Sequence, residues 1–148
     1  MRFPVLAQSI AEGAIRVGAI ALDREHAVEM SGELLVASGR TTPAYTEEMV
    51  AVLETHGPYI VIAPGIALAH SKPSDLVIET GLSLLTLAEP VVFGNAANDP
   101  VSLLIGLAAF DHDSHMDMMK ELADALSDQQ FVNSLLNAGD TEEIRQLL

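Results

Sequence analysis

The sequence predicts a single-domain α/β protein, a mixed β-sheet flanked by helices in an α/β/α sandwich. Three observations carry that expectation. Apolar runs of strand length occupy the middle of the chain, segments with apolar residues three and four apart stand on both sides of them, and 148 residues is the length of one domain. No internal repeat, low-complexity tract or long Gly/Ser/Pro linker divides residues 1–148, so all of them are expected in that one unit.

The first strand is expected over Ala14 to Ala21, a short apolar run punctuated by Arg16. Asp23 can cap a helix in which Ala27, Met30, Leu34 and Ala37 share a face, and Gly39 stops it. Thr42-Pro43 opens the next helix, with Pro at the first helical position and Tyr45, Met49, Val52 and Leu53 on one side. Gly57-Pro58 ends it. Tyr59-Ile60-Val61-Ile62 has the β-branched content of a buried strand, Pro64-Gly65 interrupts, and the apolar run Ile66 to Ala69 leads directly to His70.

Further strands are expected over Gly81 to Leu87, Val91 to Phe93 and Val101 to Ala109, with the turn-rich segment 94–100 before the last. The remainder reads as helix. Met116, Met119, Leu122, Ala123 and Leu126 share a face, and Phe131 to Leu136 and Thr141 to Leu148 follow. The methionines in that stripe are expected as core filler.

Composition excludes several function classes. Hydrophobic residues make up 49% of the chain and are mostly aliphatic, with two Tyr, four Phe and no Trp, which describes a folded core and not a disordered chain. With no cysteine, disulfides, thiolate metal sites and thiol catalysis are ruled out. Seven Lys plus Arg against 21 Asp plus Glu gives 7 − 21 = −14, a charge that repels nucleic acid and anionic membranes; its ordinary role is a solvated, soluble surface. The longest apolar stretches, Tyr59 to Ala69 and Val101 to Phe110, reach about half of the roughly 20 residues that span a bilayer. Gln8, Glu12 and Arg16 break up any signal-peptide core. A cytoplasmic location is expected.

In the absence of cysteine, nucleophilic or proton-transfer work falls to the five histidines, the carboxylates or a hydroxyl. His26 lies in the first turn of an exposed helix and reads as a surface residue. His70 stands where an apolar strand meets the polar turn Ser71-Lys72-Pro73-Ser74, a kind of strand end at which reactive groups are held by a rigid scaffold yet open to solvent. By spacing alone such a histidine is more often structural or a surface residue, and Lys72 is either an anion attractor or a routine surface lysine. Asp111-His112-Asp113-Ser114-His115 is the other concentration of ionisable groups. With Ser114 as N-cap, His115 would sit in a first helical turn that favours a bound phosphate; the same residues also read as metal ligands or as a solvated cap.

The block Gly57-Pro58-Tyr59-Ile60-Val61-Ile62-Ala63-Pro64-Gly65-Ile66-Ala67-Leu68-Ala69-His70 resembles the enzyme IIA components of the bacterial phosphoenolpyruvate-dependent sugar phosphotransferase system, in the mannitol/fructose superfamily, and its ascorbate-type branch most of all. The similarity runs over nearly the whole chain. It implies a mixed sheet flanked by helices and a phosphoryl relay: the phosphocarrier HPr donates, His70 accepts, a cysteine of an enzyme IIB receives, and a membrane enzyme IIC couples the last step to entry of an ascorbate-like, pentitol or hexitol sugar. The family's second histidine, about 45 residues beyond the first, falls on His115; on chemical grounds Ser71 or Lys72 would help hold the phosphate, and His56 is the candidate to stand in for a missing helper arginine. No cofactor or metal is implied.

The chain departs from the pattern in places. Ala69 and Ser71-Lys72-Pro73 stand where many relatives have Pro before the histidine and Ala-Arg-Pro after it, and Glu54 occupies the position of a helper arginine in the mannitol class. Two other readings remain: a regulatory enzyme IIA-like domain that signals by its phosphorylation state, and a metal-dependent hydrolase or metal-binding module built on His112, His115 and Asp113. The sequence leaves the oligomeric state open, a homodimer included.

Overall fold

In the computed structural model, which describes residues 2–148, helix α1 (Pro4–Ser9) leads into strand β1 (Ile10–Ala19) and the helix pair α2 (Arg24–Ala37) and α3 (Pro43–His56). A 3₁₀ turn at Gly57–Ile60 then precedes β2 (Val61–Ala63), β3 (Ile66–His70), β4 (Gly81–Val91) and β5 (Val101–Ala108). Helices α4 (His112–Leu126), α5 (Gln129–Asn137) and α6 (Thr141–Leu147) close the chain. The strands form one mixed sheet in the order β1-β4-β5-β3-β2, with β1 parallel to β4, β3 parallel to β5, and the β4–β5 and β2–β3 pairs antiparallel.

Both faces of the sheet are covered, so its strands are apolar on both sides. On β3, Ile66 and Leu68 join a core with α1 and α4 to α6, while Ala67 and Ala69 join a second core with α2 and α3. Leu103, Ile105 and Leu107 of β5 face the first core and Leu104 the second. Leu104 is fully buried, and full burial of such a side chain is worth about 1.5 to 3 kcal/mol. The α2 layer lies close on the sheet because Gly106 has no side chain: a Cβ there would strike the Ser83 hydroxyl, which donates to the Ser31 carbonyl at 2.9 Å.

Aspartates cap four of the helices. The side chains of Asp23, Asp111, Asp128 and Asp140 accept backbone N–H groups of His26, Ser114, Phe131 and Glu143 respectively. Part of the acidic excess is therefore structural.

The α/β/α sandwich expected from the sequence is the one observed, with local corrections. The first strand starts at Ile10, preceded by a six-residue helix too short to show a period. Tyr59 and Ile60 belong to the 3₁₀ turn, not to a strand: Gly57 takes φ +68° and Pro58 follows, which closes a turn and leaves Tyr59 83% exposed. Gly81 to Val91 is one strand, with its register broken between Thr86 and Val91, where Pro90 cannot donate to a ladder. Helix α4 is capped by Asp111 and not Ser114, and its buried stripe is Met118, Leu122 and Ala125. Met116 and Ala123 are exposed, so Met116 fills no core.

Candidate functional site

Strands β3 and β5 run parallel and end together, with His70 opposite Leu107 in register. As the last residue of β3, His70 continues the alternation of Ile66 and Leu68 and stands on the α4 side of the sheet. Its Nδ1 lies 2.9 Å from the Leu68 carbonyl. A carbonyl oxygen only accepts, so Nδ1 is the nitrogen that carries the proton, and in the neutral ring Nε2 holds the free lone pair.

The residue after His70 is clamped from the opposite face. Tyr45, fully buried on α3, accepts the Ser71 N–H at 3.0 Å and donates to the Leu107 carbonyl at 2.8 Å, so one phenol ties together the ends of β3 and β5. Burial pushes the Tyr45 hydroxyl up to about 12, opposed by its bond with the Ser71 backbone and aided by the negative charge of Glu48. The Ser71 hydroxyl donates to Glu48 of α3 at 3.0 Å and is already committed there.

His115 comes from the first turn of α4. Its backbone N–H reaches the Asp111 carbonyl at 3.2 Å, and the Ser114 N–H is taken by the Asp111 side chain, so the imidazole is what His115 offers the site. Its Nδ1 is buried without a hydrogen-bond partner. Burial, and then the neighbouring His70 and His112 rings, hold its pKa below the usual 6.5.

His70 and His115 share an open cleft of about 450 Å³ with His56, Ser71, Lys72 and Pro73, closed on one side by Val52, Tyr59 and Ile60. All five candidates from the sequence thus meet in one place. Glu54 does not line the cleft; two residues before His56 it points to the other side of α3, and Val52 and His56 occupy the wall instead. Among the described residues no three of His, Asp, Glu or Cys are arranged to hold a metal ion, and His112 and Asp113 are exposed outside the cleft. A larger cavity of about 550 Å³, between β1 and α6, is lined by Glu12, Glu142 and Arg145 and contains no histidine.

Sequence reasoning missed Tyr45, Glu48 and Tyr59. Tyr45 reads as one of α3's apolar positions, and its hydroxyl on a buried face is the one available signal, since buried phenols need partners. The assembled site can attack with one imidazole and hold an anion with others around it.

The chain matches, over residues 8–148, the family described as phosphoenolpyruvate-dependent sugar phosphotransferase system, EIIA 2. It is 34% identical over 145 residues to a protein of Shigella boydii named ascorbate-specific PTS system EIIA component, covering 97% of this chain and 94% of that one. The protein of the same name from Escherichia coli K12 is 35% identical with the same coverage. The solution structure of a mannitol-specific cryptic phosphotransferase enzyme IIA from Escherichia coli superposes with a TM-score of 0.87 at 30% identity, covering 99% of this chain and 97% of that one. A complex of the mannitol enzyme IIA with phosphorylated enzyme IIB, also from Escherichia coli, gives a TM-score of 0.80 at 28% identity, over 91% and 93% of the two chains. With matches of this extent, the chain belongs to the EIIA 2 family of the phosphoenolpyruvate-dependent sugar phosphotransferase system, whose members are phosphotransferases.

Proposed function

We propose that this protein relays a phosphoryl group on Nε2 of His70, taking it from phosphohistidine of HPr and passing it to a cysteine of an enzyme IIB, with a membrane enzyme IIC downstream. The observation that carries the reading is the Nδ1 contact with the Leu68 carbonyl, which reserves Nε2 as nucleophile inside a cleft that also holds His115. In the first step the Nε2 lone pair attacks phosphorus and the donor's P–N bond breaks, its electrons returning to the donor imidazole. In the second a thiolate of the acceptor attacks and the His70 P–N bond breaks.

Phosphoryl transfer spreads charge over the equatorial oxygens, so in-line positioning and nearby donors do most of the work. His115 would donate to those oxygens, with Lys72 and His56 as further cationic or donor groups at the cleft wall, in place of an arginine at Glu54. Ser71 contributes through its clamped backbone. Tyr59, exposed at the cleft rim, suits contact with a partner protein. Among the described residues no helix is long and apolar enough to cross a membrane. This fits work in the cytoplasm beside a separate membrane component.

For the sugar, we infer an ascorbate-like substrate, since relatives named as ascorbate-specific match at 34 to 35% identity over 97% of this chain. The test is incubation with phosphoenolpyruvate, enzyme I and HPr, followed by intact-mass measurement. Wild type is expected to gain one acid-labile phosphoryl group and His70→Gln none; unchanged labelling of the variant would remove His70 from the relay. Transfer onward to an ascorbate-type enzyme IIB, compared with a mannitol-type one, tests the substrate class.

A further inference from the structure

The outer face of the α2–α3 pair carries a second feature, a groove of about 490 Å³ away from the histidine cleft. Its floor is aliphatic, from Val36, Ala37, Pro43 and Val50, and its rim is acidic, from Glu29, Glu33 and Glu47. The two helices approach closely because Gly32 leaves no side chain where Thr46 crosses it. Glu29 and Glu33 are about one turn apart on α2, roughly 6 Å along the axis. Glu47 lies on the opposite wall.

Among the described residues no cation satisfies this rim. Helix α3 contains no lysine or arginine, and the one arginine of α2, Arg24, is bound to Glu25 and to the Phe93 carbonyl. Among the described residues, none of Glu29, Glu33 and Glu47 is in an ion pair. Acidic side chains on a surface are ordinarily just solvated, but here they border a floor that is aliphatic except at Thr46, and that combination selects its occupant. A second copy of this chain, at net −14, would bring acid against acid, and nucleic acid or an anionic membrane would be repelled. A helix with an apolar seam and flanking cations is complementary on both counts.

We propose that this groove docks a basic amphipathic helix of a protein partner, its aliphatic seam seated on Val36, Pro43 and Val50, with Lys or Arg side chains one turn apart paired to Glu29, Glu33 and Glu47. The groove uses α3 from Pro43 to Val50 and the cleft uses Val52 and His56, so the two sites share a helix and no residue.

The experiment titrates the full chain, labelled for amide NMR, with a synthetic Leu/Lys amphipathic peptide of about five helical turns. A peptide of the same composition with its order scrambled is the control, both at physiological salt. The expected result is saturable one-to-one binding, with amide shifts confined to the groove-lining stretches of α2 and α3. The double substitution Glu33→Lys/Glu47→Lys and the scrambled peptide should each weaken binding by about tenfold or more. Phosphorylation at His70 in that variant should match wild type, which shows that its fold is intact. Absence of binding, equal binding of the scrambled peptide, or shifts scattered over the remaining acidic surface would each overturn the proposal.

Discussion

The Tyr45 hydroxyl accepts the Ser71 N–H at 3.0 Å and donates to the Leu107 carbonyl at 2.8 Å, so the strand that ends in His70 is fixed from behind by a side chain of α3. His70 and its neighbour therefore look in opposite directions. The imidazole enters the cleft while the next peptide is anchored in the α2–α3 core.

Tyr45→Phe removes the acceptor of one buried N–H and the donor to one carbonyl without changing the packing of the ring. Leaving such a group unpaired costs about 1 to 3 kcal/mol, and chemical denaturation should show a loss of that order. Transfer through His70 should slow as well. Unchanged stability and rate would show that the clamp is dispensable.

The same phenol makes an alkaline signature. Its folded-state value is raised from 10 to about 12. The protonated phenol is favoured on folding, so its contribution to stability is complete below pH 10 and is lost as the pH rises through about 12. Ultraviolet titration should find one tyrosine that ionises only near pH 12, and Tyr45→Phe should abolish that step. A folded wild type with no such late step would contradict the burial of the hydroxyl.

Much of this site was legible in the sequence, and the reasons are physical. The run Ile66 to Ala69 is apolar on both faces, which marks a central strand, and a histidine at the polar boundary stands out against it. Asp23 and Thr42-Pro43 punctuate α2 and α3 where the helices do begin. Tyr59 and Ile60 misled because their β propensity is real, and only the left-handed Gly57 followed by Pro58 turns them into a 3₁₀ turn. In α4 the expected stripe holds at Met119, Leu122 and Leu126, which pack on the core, and fails at Met116 and Ala123, because Met116 is as apolar as Met118 and only the sheet beneath the helix decides which is buried. The Tyr45 clamp joins positions 26 and 62 residues apart, a relation that no local pattern encodes.

Gly106→Ala tests the close approach of α2 to the sheet. A Cβ would meet the Ser83 hydroxyl, the Leu35 side chain and the Ser31 carbonyl, two of them parts of a hydrogen bond already made. Overpacking of this kind costs about 1 to 3 kcal/mol. Thermal unfolding should show the loss, and Gly106→Ala combined with Ser83→Ala should recover part of it. No destabilisation in the single variant would mean that the layers have slack.

His115 has a depressed pKa because its ring is partly buried and faces other imidazoles. The neutral ring is favoured on folding, so the stability it contributes is complete above the unfolded value of 6.5 and is lost as the pH falls through the lower folded value. NMR titration of the histidine rings should place His115 below 6.5 in the unphosphorylated protein. A dianionic phosphoryl group on His70 would reverse the electrostatics, since an adjacent anion favours the charged imidazole. The His115 midpoint should then move upward on phosphorylation. Replacing His115 by Ala should slow transfer by about a hundred- to a thousandfold while leaving His70 able to accept, the loss expected for one transition-state donor. Gln, which keeps an N–H near the same position, should restore part of the rate, whereas His56→Ala and Lys72→Ala should cost less because those residues are exposed to solvent and His115 is half-buried. Full-rate transfer by the Ala variant, with a His115 midpoint that does not move on phosphorylation, would take this histidine out of the relay.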